Sequence, residues 1–184
     1  MSKILLSKAI KDSTLFMIDN TEKVNRKNLD PEYNLLYGRI RFLSLNKYRL
    51  SDYKFSEELP YVYMNNILIK LNVEYMNLNK TTNRIQVFDH GTDLEDLDGY
   101  KFEVISVNGF DSPITSEMYE KLKFKERYYN AYEIFPKMKD IFTLFYLVPD
   151  EETDYYFNIY DSKIEEIWYF SSLFFKLIVI VRKI

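Results

Sequence analysis

His90 is the only histidine in the chain, and it lies between carboxylates in the stretch Asp89-His90-Gly91-Thr92-Asp93. A Ser-His-Asp triad or a histidine metal site would have to use this residue, and the two aspartates would suit a hard cation. The same residue types also reverse the chain in ordinary surface turns. A calcium loop that began at Asp89 would need a glutamate where Tyr100 stands. We therefore interpret the stretch as a turn, and we expect neither a metal ion nor a cofactor.

Other catalytic patterns are weaker still. The 4 glycines lack the spacing of a phosphate-binding loop. Asp98, Lys101 and Glu103 lie on or beside one predicted strand and have the residue types of a nuclease site. Such residues recur by chance in a chain with 28 acidic and 25 basic side chains. The sequence therefore predicts a protein that is not an enzyme, with an enzyme that uses unfamiliar carboxylates as an alternative.

Two acidic groups are the more informative candidates for a functional surface. Runs of this kind are usually solvated loops. An acidic surface can also speed encounter with a basic protein and occupy a site that normally holds phosphate, and neighbouring tyrosines supply large interface anchors. We therefore predict a partner-binding surface that includes at least one of the groups. The first acidic group is Asp93, Glu95, Asp96 and Asp98, the second is Asp150, Glu151, Glu152 and Asp154, and the tyrosines are Tyr100, Tyr155 and Tyr156.

The composition is that of a globular protein rich in strands. Apolar residues make up 47% of the chain and charged residues 29%, with only 4 Gly and 5 Pro. The 17 Tyr and 14 Phe fit the half-buried surface of a sheet, although AT-rich codons would produce the same bias. A chain of 184 residues can bury one substantial core, so we expect a single domain over residues 1–184.

Several partner classes are disfavoured by charge and residue usage. The net charge of -3, with both signs interspersed, gives no field that would attract nucleic acid. The absence of cysteine excludes disulfides and thiolate metal sites and is compatible with the cytosol. Lys8 interrupts the first apolar run too early for an export signal. The last apolar run, Trp168 to Val181, is too short for a membrane span and contains Lys176. We expect a cytoplasmic protein without a membrane partner.

Hydrophobic periodicity predicts many strands and few helices. Because the strand-like segments are joined by short polar links, we predict an α+β fold with a mostly antiparallel, twisted sheet and a few short helices. The predicted strands are Leu15–Ile18, Leu35–Leu45, Tyr61–Met64, Ile67–Leu71, Arg84–Phe88, Tyr100–Val107, Tyr128–Phe135, Ile141–Val148, Tyr155–Tyr160 and a buried central strand Leu173–Val181. The predicted helices are Ile4–Ile10, Thr115–Leu122 and a short helix that Asp161-Ser162 would cap. The predicted polar links include Asn46–Glu58 and Asp89–Gly99.

A resemblance covers about residues 110–165. The segment Ser112-Pro113-Ile114-Thr115-Ser116-Glu117-Met118-Tyr119-Glu120-Lys121-Leu122, the strand that ends at Phe135-Pro136, and the run from Tyr155 to Asp161-Ser162 resemble a recurring stretch in the immunity proteins of bacterial polymorphic and contact-dependent toxin systems. The resemblance implies a cytosolic antidote, without catalytic residues, that binds a cognate protein toxin domain and blocks its active site. A structural or assembly protein of a phage or virus is the alternative, and it would share the aromatic, AT-like composition.

Overall fold

The computed structural model describes residues 2–19, 37–54, 65–80, 82–84, 92–107, 118, 133–151, 153–159, 163–172 and 175–180. Strands make up most of this part of the chain. They are β1 (Ser2–Leu5), β2 (Leu15–Asp19), β3 (Tyr37–Arg49), β4 (Asn66–Asn77), β5 (Asn83–Arg84), β6 (Thr92–Asp96), β7 (Lys101–Val107), β8 (Glu133–Ile134), β9 (Lys139–Pro149), β10 (Tyr155–Ile159), β11 (Lys163–Ser172) and β12 (Phe175–Ile180). One α-helix, α1 (Leu6–Lys11), and a 3-10 turn, Leu50–Asp52, are defined over their whole length.

The predicted α+β class is wrong, because the described chain is predominantly β with one helix of six residues. Every strand pair that is described is antiparallel, as the sequence predicted. Ten of the described strands form one sheet in the order β1-β10-β6-β7-β9-β4-β3-β2-β11-β12, and β5 pairs with β8. The observed fold class differs from the predicted one because segments that were predicted as polar links or as a helix are strands. These strands pair with strands that are distant in the sequence.

The large sheet is curled so strongly that distant strands face each other. Strands β3 and β10 are five positions apart in the sheet, which would separate them by roughly 24 Å if the sheet were flat. The rings of Phe42 on β3 and Phe157 on β10 nevertheless lie with their centroids 4.9 Å apart, edge to face. We call the line along which β3 and β10 meet the seam.

Helix α1 crosses the seam and enforces the curl. It connects β1 at one edge of the sheet to β2 in the eighth position, and its six residues span only about 9 Å. A flat sheet would place β1 and β2 roughly 34 Å apart. Leu6 and Ala9 of the helix are buried in the main core, together with Phe16, Ile40 and Phe42 of β2 and β3. The helix therefore closes the interior where the two parts of the sheet meet.

Apolar side chains on the two faces of the sheet form two clusters. The inner cluster contains the alternate residues Phe142, Leu144, Tyr146 and Val148 of β9. The intervening position, Phe145, points to the other face, where a second cluster is buried. The members of that outer cluster are Leu50, Leu68, Met118 and Phe145, with Tyr48, Tyr53, Ile105 and Leu147 partly buried against them. The central strands β4 and β9 are therefore covered on both faces around Leu68 and Phe145, where their sequences are apolar at consecutive positions.

Six predicted strands are confirmed as far as their residues are described: Leu15–Ile18, Leu35–Leu45, Ile67–Leu71, Tyr100–Val107, Ile141–Val148 and Tyr155–Tyr160. The N-terminal helix is also present, but it begins at Leu6, because the preceding residues pair as β1. The predicted strands at Tyr61–Met64 and Tyr128–Tyr132 lie outside the described residues, as do Ile85–Phe88 and the helix at Thr115–Leu122 apart from Met118.

Three predicted segments are wrong. The polar link expected from Asn46 begins as part of β3, since Asn46 to Arg49 stay in register with β4. The loop expected at Asp89–Gly99 contains β6, which lies between β10 and β7. The helix expected after Asp161-Ser162 is β11, paired with β2 and β12. In each case, pairing to strands distant in sequence outweighs the local preference of the residues.

The last predicted strand is present at Phe175–Ile180, but its expected central position is wrong. In the described sheet β12 pairs with β11 and occupies the end of the strand order. The apolar run thus identified a strand and not its place in the sheet.

Gly38 on β3 is required by a close contact with β4. A Cβ atom at this position would lie 2.4 Å from Cε2 of Tyr75 and 2.6 Å from the carbonyl oxygen of Met76. Tyr75 is fully buried, and the Met76 carbonyl belongs to the ladder between β3 and β4. Neither group can move aside without disturbing the core or the sheet.

We expect Gly38→Ala to destabilise the protein by about 1–3 kcal/mol, the usual cost of forcing extra volume into a packed site. The reduced freedom of the unfolded chain offsets at most about 1 kcal/mol of that loss. Urea unfolding monitored by circular dichroism measures the difference. Asn46→Ala, at an exposed position of the same strand, is the control and should change stability by less than about 0.5 kcal/mol. Equal stability of Gly38→Ala and the parent would contradict the close contact.

Candidate functional site

The hairpin that joins β6 to β7 ends in a tightly held turn. The carboxylate of Asp96 accepts hydrogen bonds from the backbone N–H groups of Asp98, at 3.0 Å, and Tyr100, at 2.8 Å. The backbone N–H of Gly99 donates to the Asp96 carbonyl at 3.2 Å, and Gly99 has a φ of 93°, a conformation that favours glycine. The turn is therefore fixed by side-chain and backbone hydrogen bonds before any partner arrives.

The tip of this hairpin presents two large apolar side chains to solvent. Leu97 is 58% exposed and Tyr100 is 69% exposed, and Asp98 and Gly99 between them are also exposed. Exposed apolar side chains on a rigid turn suit binding, because little conformational entropy is lost when a partner covers them. Tyr100 and Asp98 were predicted as binding residues, whereas Leu97 was not.

The structure brings the second acidic group to the same end of the sheet. Asp96, which precedes the hairpin tip, is directly opposite Tyr155 in the β6–β10 ladder. Burial raises the pKa of the Tyr155 hydroxyl to about 12, and the nearby carboxylates of Asp96 and Glu151 add to the effect. Because residues 150–154 lead directly into Tyr155, which pairs with Asp96, the two groups adjoin. We call Leu97 to Tyr100 together with Asp150 and Glu151 the hairpin-end surface.

The charges of the hairpin-end surface are unevenly compensated. Asp150 forms a two-bond ion pair with Arg49 of β3, at 2.5 Å from Nε and 3.0 Å from Nη2. Asp98 and Glu151 are exposed, and neither forms an ion pair with a described residue. The surface is therefore mildly acidic, with its negative charge at Asp98 and Glu151.

Three residues of the first acidic group are not available to a partner. Asp93 is 2% exposed, and Glu95 and Asp96 are each 6% exposed. The prediction that they form an exposed acidic surface is wrong, because they belong to a strand between β10 and β7 and not to a loop. Asp96 instead holds the hairpin tip in place.

Asp93 and Glu95 share a buried amide donor. Nδ2 of Asn158, a fully buried residue on β10, donates to Asp93 Oδ1 at 2.5 Å and to Glu95 Oε2 at 3.0 Å. Nζ of Lys3 on β1 donates to the other oxygen of Glu95. These bonds lower the pKa of the Glu95 carboxyl, and the bond from Lys3 is the largest contribution. The acidic residues of β6 thus tie together three neighbouring strands.

The remaining predicted residues have mixed positions. Tyr155 is 2% exposed and forms part of the core, so its predicted role as an exposed anchor is wrong. Tyr156 is half-buried, with Lys3 Nζ 5.8 Å from its ring centroid. Asp154 is half-buried and accepts hydrogen bonds from Ser7 Oγ and from the Tyr155 backbone N–H. Glu152 lies outside the described residues.

The described residues that were weighed for catalysis lie on the surface of the β6–β7 hairpin. Asp98 lies in the hairpin turn, and Lys101 and Glu103 lie on β7, all exposed. Within the described ranges no group of three or more histidine, cysteine or carboxylate side chains has the geometry to hold a metal ion. Asp89, His90 and Gly91 are outside those ranges.

Sequence reasoning missed the cations that meet the acidic groups. Lys47 and Arg49 of β3 lie at the hairpin end, and Lys47 Nζ donates to the Thr153 carbonyl at 2.9 Å and sits 5.1 Å from the Tyr155 ring centroid. The sequence contained a signal for them, because Lys47 and Arg49 alternate with Tyr48. This period-two spacing indicates that the strand continues beyond Leu45. Leu97 carried a weaker signal, as an apolar residue within an acidic stretch.

Comparisons of the chain with protein-family models, curated proteins and solved structures give no match. No helix in the described part of the chain is long and apolar enough to cross a membrane.

The lowered pKa of Glu95 predicts a pH-dependent contribution of Lys3 to stability. A carboxyl whose pKa is lower in the folded state stabilises the protein above its unfolded pKa, and this stabilisation is lost as the pH falls through the folded pKa. We therefore expect Lys3→Met to reduce the free energy of unfolding at pH 7, and we expect its difference from the parent to shrink as the pH falls below about 4. Urea unfolding between neutral and acid pH measures this difference. Lys11→Met, an exposed lysine of α1, is the control, and its offset should not vary with pH in this way. A pH-independent difference for Lys3→Met would contradict the interaction.

Proposed function

We propose that the protein is a non-catalytic, immunity-type antidote that acts in the cytoplasm and binds a cognate toxin domain through the hairpin-end surface. The observation that carries the proposal is the rigid turn that exposes Leu97 and Tyr100 beside Asp98 and Glu151. A few large side chains with an acidic surround are the elements from which tight protein interfaces are built. The identity of the partner class rests on the sequence resemblance over about residues 110–165.

Several features support binding at this surface over catalysis. The hydrogen bonds of Asp96 hold the turn in one conformation, which lowers the entropic cost of association. Leu97 and Tyr100 offer apolar area that a partner can bury, and Tyr100 also keeps a hydroxyl for hydrogen bonding. Asp98 and Glu151 would attract a basic substrate groove, such as one that holds phosphate groups in its target.

The direct test is to co-express the protein with the product of the adjacent gene and to measure both survival and complex formation. We expect the parent to protect cells and to copurify with that product. The double variant Leu97→Ala and Tyr100→Ala should lose protection and weaken binding at least about tenfold, because truncation of central anchors usually costs more than 1 kcal/mol each. Phe135→Ala is the matched control, since Phe135 is 57% exposed and lies at the opposite end of β9. Equal loss with Phe135→Ala, or full protection by the double variant, would contradict this surface.

Charge at the hairpin-end surface should act on the rate of association. Asp98→Lys together with Glu151→Lys should lower the association rate with the toxin domain, and the difference should fall as salt is raised, because exposed charges are screened. Surface plasmon resonance at two salt concentrations measures this effect. Asp12→Lys, at an exposed position in the turn after α1, is the control for each single charge reversal. A salt-independent change in the dissociation rate alone would argue against steering.

A structural protein of a phage or virus is a second candidate, and one observation favours it. Phe135 and Met138 are each 57% exposed, and β9 separates them from the hairpin-end surface by about 33 Å. A subunit that contacts two neighbours head to tail needs two such separate surfaces. Light scattering distinguishes the candidates, since an assembly subunit would form concentration-dependent oligomers in the absence of a toxin.

A further inference from the structure

A cavity opens at the seam beneath α1, and the function proposed above does not use it. Its volume is about 490 Å³, within the range of roughly 300–1,000 Å³ that is usual for small-molecule sites. It is lined by Ser7 and Ile10 of α1, by Leu45 and Lys47 of β3, by Tyr155 at the start of β10, and by Thr153 and Asp154, which precede that strand. A second cavity, of about 190 Å³ between β1, α1 and β2, is smaller.

The walls of the larger cavity are apolar. Ile10 and Leu45 are partly buried and pack against the inner core, and the Tyr155 side chain is 2% exposed. The Tyr155 ring is held from one side by an edge-to-face contact with Phe102, with centroids 6.4 Å apart. Ile10 and Leu45 are therefore the accessible apolar surface against which a small branched or aromatic group can pack, and the buried Tyr155 ring supports that surface from beneath.

Two opposite charges stand at the rim of the cavity without neutralising each other. Nζ of Lys47 donates to the Thr153 carbonyl, and the Asp154 carboxylate accepts from Ser7 Oγ and the Tyr155 N–H. Among the described ion pairs none joins Lys47 to Asp154. An ammonium has three donors and a carboxylate about four acceptor positions, so both groups retain hydrogen-bonding capacity. A ligand with one charge alone would meet one favourable and one repulsive group.

We propose that this cavity binds a small zwitterion, an α-amino acid with an apolar side chain. The ligand carboxylate would bind Lys47, its ammonium group would bind Asp154, and its side chain would pack against Ile10 and Leu45. This arrangement matches both charged side chains that the described part of the chain places at the rim, and it buries apolar surface on the walls. The inference does not rest on the proposed partner or on the hairpin-end surface.

Isothermal titration calorimetry with the full chain and L-leucine tests the proposal. We expect a dissociation constant of about 1 mM or below, which the binding efficiency of small ligands allows. Isoamylamine, which lacks the carboxylate, and isocaproate, which lacks the ammonium group, should each bind at least about tenfold more weakly. The proposal would be overturned if either analogue bound as tightly as L-leucine. It would also be overturned if neither L-leucine nor L-phenylalanine bound.

Variants of the two rim charges separate a true site from surface binding. Lys47→Gln and Asp154→Asn should each weaken L-leucine binding at least about tenfold, whereas Lys8→Gln, on α1 at the smaller cavity, should not. Thermal unfolding of each variant identifies any that is not folded. If Asp154→Asn does not fold, Lys47→Gln with the two analogues still decides the outcome. Binding to Lys47→Gln within about twofold of the parent would overturn the proposal.

Discussion

The connection from β1 through α1 to β2 is the constraint on which the rest of the structure depends. Two strands that lie seven positions apart in the sheet are joined by a link that contains a helix of six residues. The sheet must curl until β3 and β10 face each other, and the contact between Phe42 and Phe157 shows that it does. The interior core exists because of this curl, since the inner faces of distant strands then bury one another's apolar side chains.

The curl also determines the chemistry at the hairpin end. It carries Lys47 of β3 to the Thr153 carbonyl and the Tyr155 ring at the start of β10. The cavity at the seam, with its apolar walls and its separate charges, is a consequence of the same approach. In a flat sheet the side chains of β3 and those at the start of β10 would be too far apart to line the same cavity.

Acidic residues that are close in the sequence have different roles in the structure. Asp93 and Glu95 share the buried Asn158 amide and join β6 to its neighbours, while Asp96 organises a turn. Asp98, two residues after Asp96, is exposed. Their side chains differ little in chemistry, so the separation arises from strand pairing and burial. A buried carboxylate is stable only when it accepts hydrogen bonds, and β6 places Asp93 and Glu95 beside the Asn158 amide, which donates to both.

The sequence by itself determined the strand-rich character of the protein and the position of many strands. Alternation in Tyr100 to Val107 and the apolar run from Ile141 to Val148 depend only on neighbouring residues, and both strands are present. It also identified Asp98 and Tyr100 as candidates for an exposed surface, because turn residues and a free aromatic are local signals. Tertiary structure alone decided that β6 and β11 are strands, that β12 ends the strand order, and that the two acidic groups adjoin. Those outcomes depend on hydrogen bonds and contacts between residues that are far apart in the chain. A local pattern of residue types does not predict the energies of such interactions.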